Sequence, residues 1–189
     1  MDESDPEHLR KVEVDAACAL EQFFVDRYPG MPSHQPSGSF KLPGAEGLRV
    51  DLLVPGTALG KVQAVKELGA YAQAIPLLEF LVKDAQDAVV LGRNHVVPVK
   101  VPSPERFVVH KLYSSQSRKA DREMVRKHLQ QAAVLAAPIE EDRPGALQDT
   151  FRILPASGRV ATRRGARAAA PLLESHPAAR EVLERIAGR

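Results

Sequence analysis

Asp51 is a lone acid inside an apolar run, Leu48-Arg49-Val50-Asp51-Leu52-Leu53-Val54. A carboxylate in such a setting is costly when unpaired, so it calls for a cation, a metal ion or a hydrogen-bonding partner. Two assignments stand. Asp51 is a metal ligand, or it pairs with Arg49 or Lys41 on a solvated face. Upstream, Glu13-Val14-Asp15 offers two more carboxylates, at i and i+2. As a strand this segment puts both acids on one face; as part of a helix starting near His8 it carries two surface charges. The six histidines, at 8, 34, 95, 110, 128 and 176, never stand at ligand spacing from another His, Cys or Glu, which argues against a zinc site. Cys18 lies in an alanine-containing helical pattern and reads as a buried, inert thiol. The sequence has no glycine-rich phosphate loop of standard spacing and no G-x-S-x-G elbow.

The elements that must position these residues follow from periodicity and punctuation. Leu9, Val12, Ala16, Leu20 and Phe23 recur at helical spacing, so residues 8–27 are expected to form an amphipathic helix. A short strand at 12–15 feeding a helix from Ala16 is the competing reading. Residues 37–42 and 48–54 are expected as strands, joined by the hairpin loop Pro43-Gly44-Ala45-Glu46-Gly47. Residues 67–78 are ambiguous because Pro76 interrupts a helical pattern. Three short strands are expected at 77–82, 88–91 and 95–101, the last two joined by Gly92-Arg93-Asn94.

From Ser103 the pattern becomes helical. Ser103 is an N-cap, Pro104 occupies the first helical position and Glu105 falls in the positive first turn. Phe107, His110, Lys111 and Ser114 share a face, which Val108 and Leu112 broaden. A second helix is expected at 120–136, with Met124, Leu129, Ala132, Ala133 and Ala136 inward and Pro138 closing it. A last helix is expected at 178–187. Strands come first and helices after, so the fold class is α+β: a small mixed sheet covered by helices, followed by a helical C-terminal segment.

With 189 residues, 44% hydrophobic and 26% charged, the chain suits one soluble domain, or one domain with a small appendage. No run approaches the length of a membrane span. The acidic start MDESDPEH does not resemble a secretory signal, and a single cysteine fits a reducing compartment, so a cytoplasmic location is expected. A net charge of +2 names no partner. The charge is uneven, however: residues 152–167 hold five arginines and no acid. Such a segment can hold phosphates, or can be a solvated, partly disordered connector. With no aromatic residue from 152 onward, base stacking is not suggested.

Two stretches carry a family resemblance. One is Gly38-Ser39-Phe40-Lys41-Leu42 with the strand around Asp51 and its Pro55-Gly56 end. The other is Val101-Pro102-Ser103-Pro104-Glu105 through His110-Lys111-Leu112 to Ser117-Arg118-Lys119 and Arg122-Glu123. Together, over about residues 37–137, they resemble bacterial nucleotidyltransferase-fold proteins of the polymerase β superfamily, in the branch near abortive-infection toxin nucleotidyltransferases. The resemblance implies that carboxylates on neighbouring strands hold magnesium ions, which orient a nucleoside triphosphate for attack at the α-phosphorus. It makes Asp51 the third metal-binding, catalytic carboxylate, with Glu13 and Asp15 as the companion pair. It places Lys111 and Arg118 on the nucleotide side of the cleft.

Two departures accompany the likeness. Gly38-Ser39 follows the candidate acid pair instead of preceding it, and Arg122-Glu123 stands where Lys-Asp is usual. The expected organisation is a nucleotidyltransferase-like core at 1–102, truncated or degenerate at its N-terminus, a helical part at 103–150 and an arginine- and alanine-rich segment at 151–189. The expected function is magnesium-dependent nucleotide transfer to an RNA, protein or small acceptor, with a toxin–antitoxin-like partner protein in view. The alternative is a non-catalytic nucleotide-, RNA- or protein-binding module built on that fold.

Overall fold

The computed structural model describes residues 24–26, 39–41, 49–57, 61–68, 70–92, 96–116 and 121–188. The chain divides into two compact units, Met1–Pro76 and Leu77–Arg189. Among the described residues it is an α+β protein.

In the first unit, β1 (Phe24–Asp26), β2 (Ser39–Lys41) and β3 (Arg49–Asp51) form an antiparallel sheet in that order. β2 and β3 are the expected hairpin, with Phe40 opposite Val50 and Ser39 opposite Asp51. β1 corrects the helix expected to run to residue 27. Phe24-Val25-Asp26 pairs with Lys41-Phe40-Ser39, and an aromatic beside a β-branched residue suits a ladder better than a helix end. The remainder of that expected helix, with Glu13, Asp15 and Cys18, lies outside the described residues.

The strand expected over 48–54 is two strands. After Leu52 the chain leaves the first sheet, and β4 (Leu53–Pro55) pairs in parallel with β6 (Ala70–Ile75). β5 (Val62–Val65) lies antiparallel on the other side of β6. β6 resolves half of the ambiguous stretch 67–78, residues 70–75, as strand. Its period is two: Ala72 and Ala74 are buried while Tyr71 between neighbours is exposed.

The second unit opens with α1 (Leu78–Val82), where a strand was expected at 77–82. A short apolar run carries too few residues to separate the two periods, and here tertiary contact decides. Arg106 donates from Nη1 to the Phe80 carbonyl at 3.0 Å, and its guanidinium lies 4.9 Å from the Phe80 ring centroid. The hairpin β7 (Gln86–Leu91) and β8 (Val96–Val101) follows as expected, in register from Gln86–Val101 to Leu91–Val96.

Helices α2 (Pro104–Ser114), α3 (Arg122–Asp142), α4 (Ala146–Arg152), α5 (Ala156–Ala169) and α6 (Pro177–Ala187) complete the unit. α2 begins as its sequence dictates: Ser103 Oγ accepts from the Arg106 amide, with Pro104 at the first helical position. α3 is capped by Asp121, whose side chain accepts from the Met124 amide at 2.7 Å. Pro138 does not close α3, which runs on to Asp142. Proline denies a hydrogen bond to the carbonyl four residues back, and that residue, Val134, is 72% exposed, so water can take the bond's place.

The arginine-rich stretch is likewise ordered. Arg159, Arg163, Arg164 and Arg167 stand on α5, which buries Gly158, Thr162, Gly165, Ala166 and Ala169. The connector reading is therefore overturned by a stripe of small residues that packs against α2. The core of this unit joins Val108, Val109 and Leu112 to Leu147, Leu154, Leu183 and Ile186, each 1% exposed or less. Burying each such side chain is worth about 2 kcal/mol. Buried alanines of α3 and α5 let these helices lie close.

Candidate functional site

Lys111 is the predicted site residue whose surroundings the structure describes most fully. It occupies the last turn of α2, with its ammonium 4.8 Å from the centroid of the Phe107 ring one turn earlier. The helix is anchored on both sides. Val108, Val109 and Leu112 enter the core, while buried Arg106 ties its first turn to Phe80 and, through Nη2, to Asp84 at 2.8 Å. Buried Glu105 pairs with Arg143 just beyond the end of α3. These contacts fix the rotation of α2 and with it the direction from which Lys111 emerges.

What it meets is positive. Burial, and then the charge of Lys127 on α3, pull the Lys111 ammonium below its ordinary pKa. The neighbouring His128 imidazole is held below its ordinary 6.5, first by burial, then by Lys111 and, more weakly, Lys127. The Gln131 side chain offsets part of that effect. His128 Nδ1 and Gln131 Oε1 are both buried, and neither has a well-formed hydrogen bond among the described residues. A proton on His128 would give Oε1 a donor. The Lys127 charge thus acts on both Lys111 and His128, and the Lys111 charge on His128, so positive charge is concentrated between these side chains of α2 and α3.

Lys127, His128 and Gln131 were not singled out as site residues by the sequence. His128 had been examined for metal-ligand spacing, where it has no companion. The signal that matters is the charge of Lys111, a lysine on another helix, and no local spacing encodes that. His110, on the face predicted with Lys111, is instead buried, with Nδ1 3.4 Å from Ser114 Oγ and its ring tilted against Tyr113 at 6.2 Å.

Asp51 is exposed at the end of β3, one residue before the chain changes sheets. Its cross-strand partner is Ser39, whose own partner on β1 is Asp26, so the three share one row of the ladder. Among the described residues no group of three or more His, Cys, Asp or Glu is gathered as a metal ion would require. The other carboxylates expected to join Asp51, Glu13 and Asp15, and the predicted nucleotide-side Arg118, lie outside the described residues. One carboxylate does not by itself hold a magnesium ion. Among the described residues no helix is long and apolar enough to cross a membrane.

No curated protein matches the chain, and no solved structure does. A family model described as a nucleotidyltransferase matches residues 19–154, nearly three quarters of the chain. Asp51, Lys111, Lys127 and His128 fall within the match, whereas Glu13 and Asp15 precede it. The chain belongs to that nucleotidyltransferase family, with a nucleotide as its substrate.

Proposed function

We propose that this protein transfers a nucleotide from a nucleoside triphosphate to an RNA or protein acceptor in a magnesium-dependent reaction, in the manner of the toxin-like branch it resembles. The observation that carries this reading is the Lys111–Lys127–His128 cluster. The Lys111 and Lys127 charges repel one another, so a bound triphosphate relieves that repulsion. In this reading the lysines hold the phosphates as point charges, and Arg118 joins them. The family resemblance makes Asp51, with Glu13 and Asp15, the proposed magnesium ligands.

Binding and transfer test separate parts of the proposal. Lys111→Gln and Lys127→Gln should each weaken binding of a non-hydrolysable nucleoside triphosphate about tenfold, or about 1.4 kcal/mol. Titration calorimetry reads this directly, and unchanged affinity in both variants removes the cluster from the site. Asp51→Asn should abolish magnesium-dependent incorporation of labelled nucleotide while leaving that binding intact. Full transfer by Asp51→Asn would end its assignment as a metal ligand.

A further inference from the structure

Four arginines, Arg159, Arg163, Arg164 and Arg167, are all exposed on α5, and the helix contains no acid. Among the described residues none of the four forms an ion pair, although acids are paired elsewhere in this unit: Asp149 with Arg152, Glu184 with Arg180, and Glu105 with Arg143. The positive charge of this face is therefore uncompensated.

Three of the guanidinium groups are held in place. Arg159 donates from Nε to the Leu154 carbonyl at 3.0 Å and from Nη2 to the Arg152 carbonyl at 2.9 Å, satisfying carbonyls at the end of α4. Arg167 donates from Nη2 to the Ala187 carbonyl at 3.2 Å, at the negative end of α6. Arg163 lies 5.8 Å from the centroid of the Phe151 ring. A guanidinium has five donors, so Arg159 and Arg167 keep free N–H groups after these bonds. Arg159, Arg163 and Arg167 are spaced four residues apart along one ridge, rising about 6 Å at each step. The result is a row of partly immobilised forks that loses less rotamer entropy on binding than mobile lysines would.

We propose that this face of α5 docks the phosphodiester backbone of a nucleic-acid duplex. Arginine forks match phosphate oxygens two at a time. Residues 152–189 contain no Phe, Tyr or Trp, so the surface offers no platform for unstacked bases and reads backbone instead of sequence. The site lies on a different helix from the Lys111 cluster, and it stands or falls independently of nucleotide transfer.

The test is fluorescence anisotropy of the full chain with a labelled 20-base-pair duplex, over a salt series starting at 50 mM. Binding should weaken linearly on a log–log plot as salt rises. The double variant Arg163→Gln/Arg164→Gln should make that slope shallower by about 2, and Arg163→Lys/Arg164→Lys should largely restore it. Circular dichroism should show both variants folded, since among the described residues neither side chain donates a hydrogen bond to the protein. Arg180→Gln, on α6 and already paired with Glu184, should leave the slope unchanged. Absence of duplex binding at 50 mM salt overturns the proposal. So does an unaltered slope in the Gln double variant, or a change as large in Arg180→Gln. Tighter binding to an unstructured single strand, or capture by anionic vesicles in place of the duplex, overturns the assigned partner.

Discussion

Gly165 on α5 packs directly against the main chain of Leu112 on α2: a Cβ built on Gly165 would overlap the Leu112 carbonyl and come within 3.0 Å of its Cα. The neighbour is backbone, so it cannot swing aside as a side chain would. Gly165→Ala should therefore destabilise the protein by about 3 kcal/mol. Gly145→Ala is the instructive contrast. Gly145 has φ +89° with nothing within 4 Å of a built Cβ, so its cost is backbone strain alone, about 1 kcal/mol. Urea unfolding of both variants checks the ranking, and equal losses would contradict the close approach of α2 and α5.

Arg106 is buried and Asp84 is not, so the two ends of their 2.8 Å ion pair should respond unequally. Arg106→Met leaves the Phe80 carbonyl without its donor and removes the guanidinium from the Phe80 ring, a loss of about 3 kcal/mol. Asp84 is 70% exposed at its side chain, and Asp84→Asn should cost less than about 1 kcal/mol. Asparagine also tolerates the positive φ of 58° found there. Thermal unfolding of the two single variants measures the asymmetry.

Glu140, 3% exposed, reaches from the end of α3 to the start of α4. Its two oxygens accept from the Gly145 amide at 2.7 Å and the Leu147 amide at 3.0 Å. Glu140→Ala removes both bonds and a negative charge from a helix N-terminus, a loss of about 2–3 kcal/mol. Amide hydrogen exchange at Leu147 should accelerate accordingly, and unchanged protection there would show that α4 does not depend on this cap.

His128 links stability and binding to pH with opposite signs. Its folded pKa lies below 6.5, so as pH falls from 6.5 the unfolded chain takes up a proton that the folded chain resists, and stability declines. His128→Gln should lack that part of the decline. Inorganic triphosphate favours the imidazolium, so its binding should draw in protons and tighten as pH drops below 6.5. Calorimetry in two buffers of different ionisation enthalpy measures the uptake. Subtracting the His128→Gln value isolates the imidazole from the ligand's own titration, and a zero difference would remove His128 from the site.

Much of the helical unit was legible because its signals are local. Ser103, Pro104 and Glu105 announce α2, and the spacing of Val108 and Leu112 identifies a buried face. Leu77 to Val82 was misread because five apolar residues around Glu79 have no decisive period, and only Arg106, far along the chain, settles it as helix. Pro138 was misread as a stop because the exposure of Val134 depends on which face of α3 meets the core. The arginines of α5 hid a helix because Gly158 and Gly165 look like breakers in sequence, yet in the fold they are where neighbours approach. Of the proposed site, Lys111 was named from the family motif. Its partners Lys127 and His128 were missed because they belong to it only across a helix–helix contact.

The contact between Leu112 and Gly165 also governs when this unit can close as the chain is made. The last residue of α5, Ala169, is added 57 residues after Leu112. At about 5–20 residues per second, that leaves the apolar side of α2 waiting about 3–11 s for its cover during synthesis. Val108 and Leu112 are thus exposed to other hydrophobic surfaces in every newborn chain, and a pause in translation before Ala169 would lengthen that exposure.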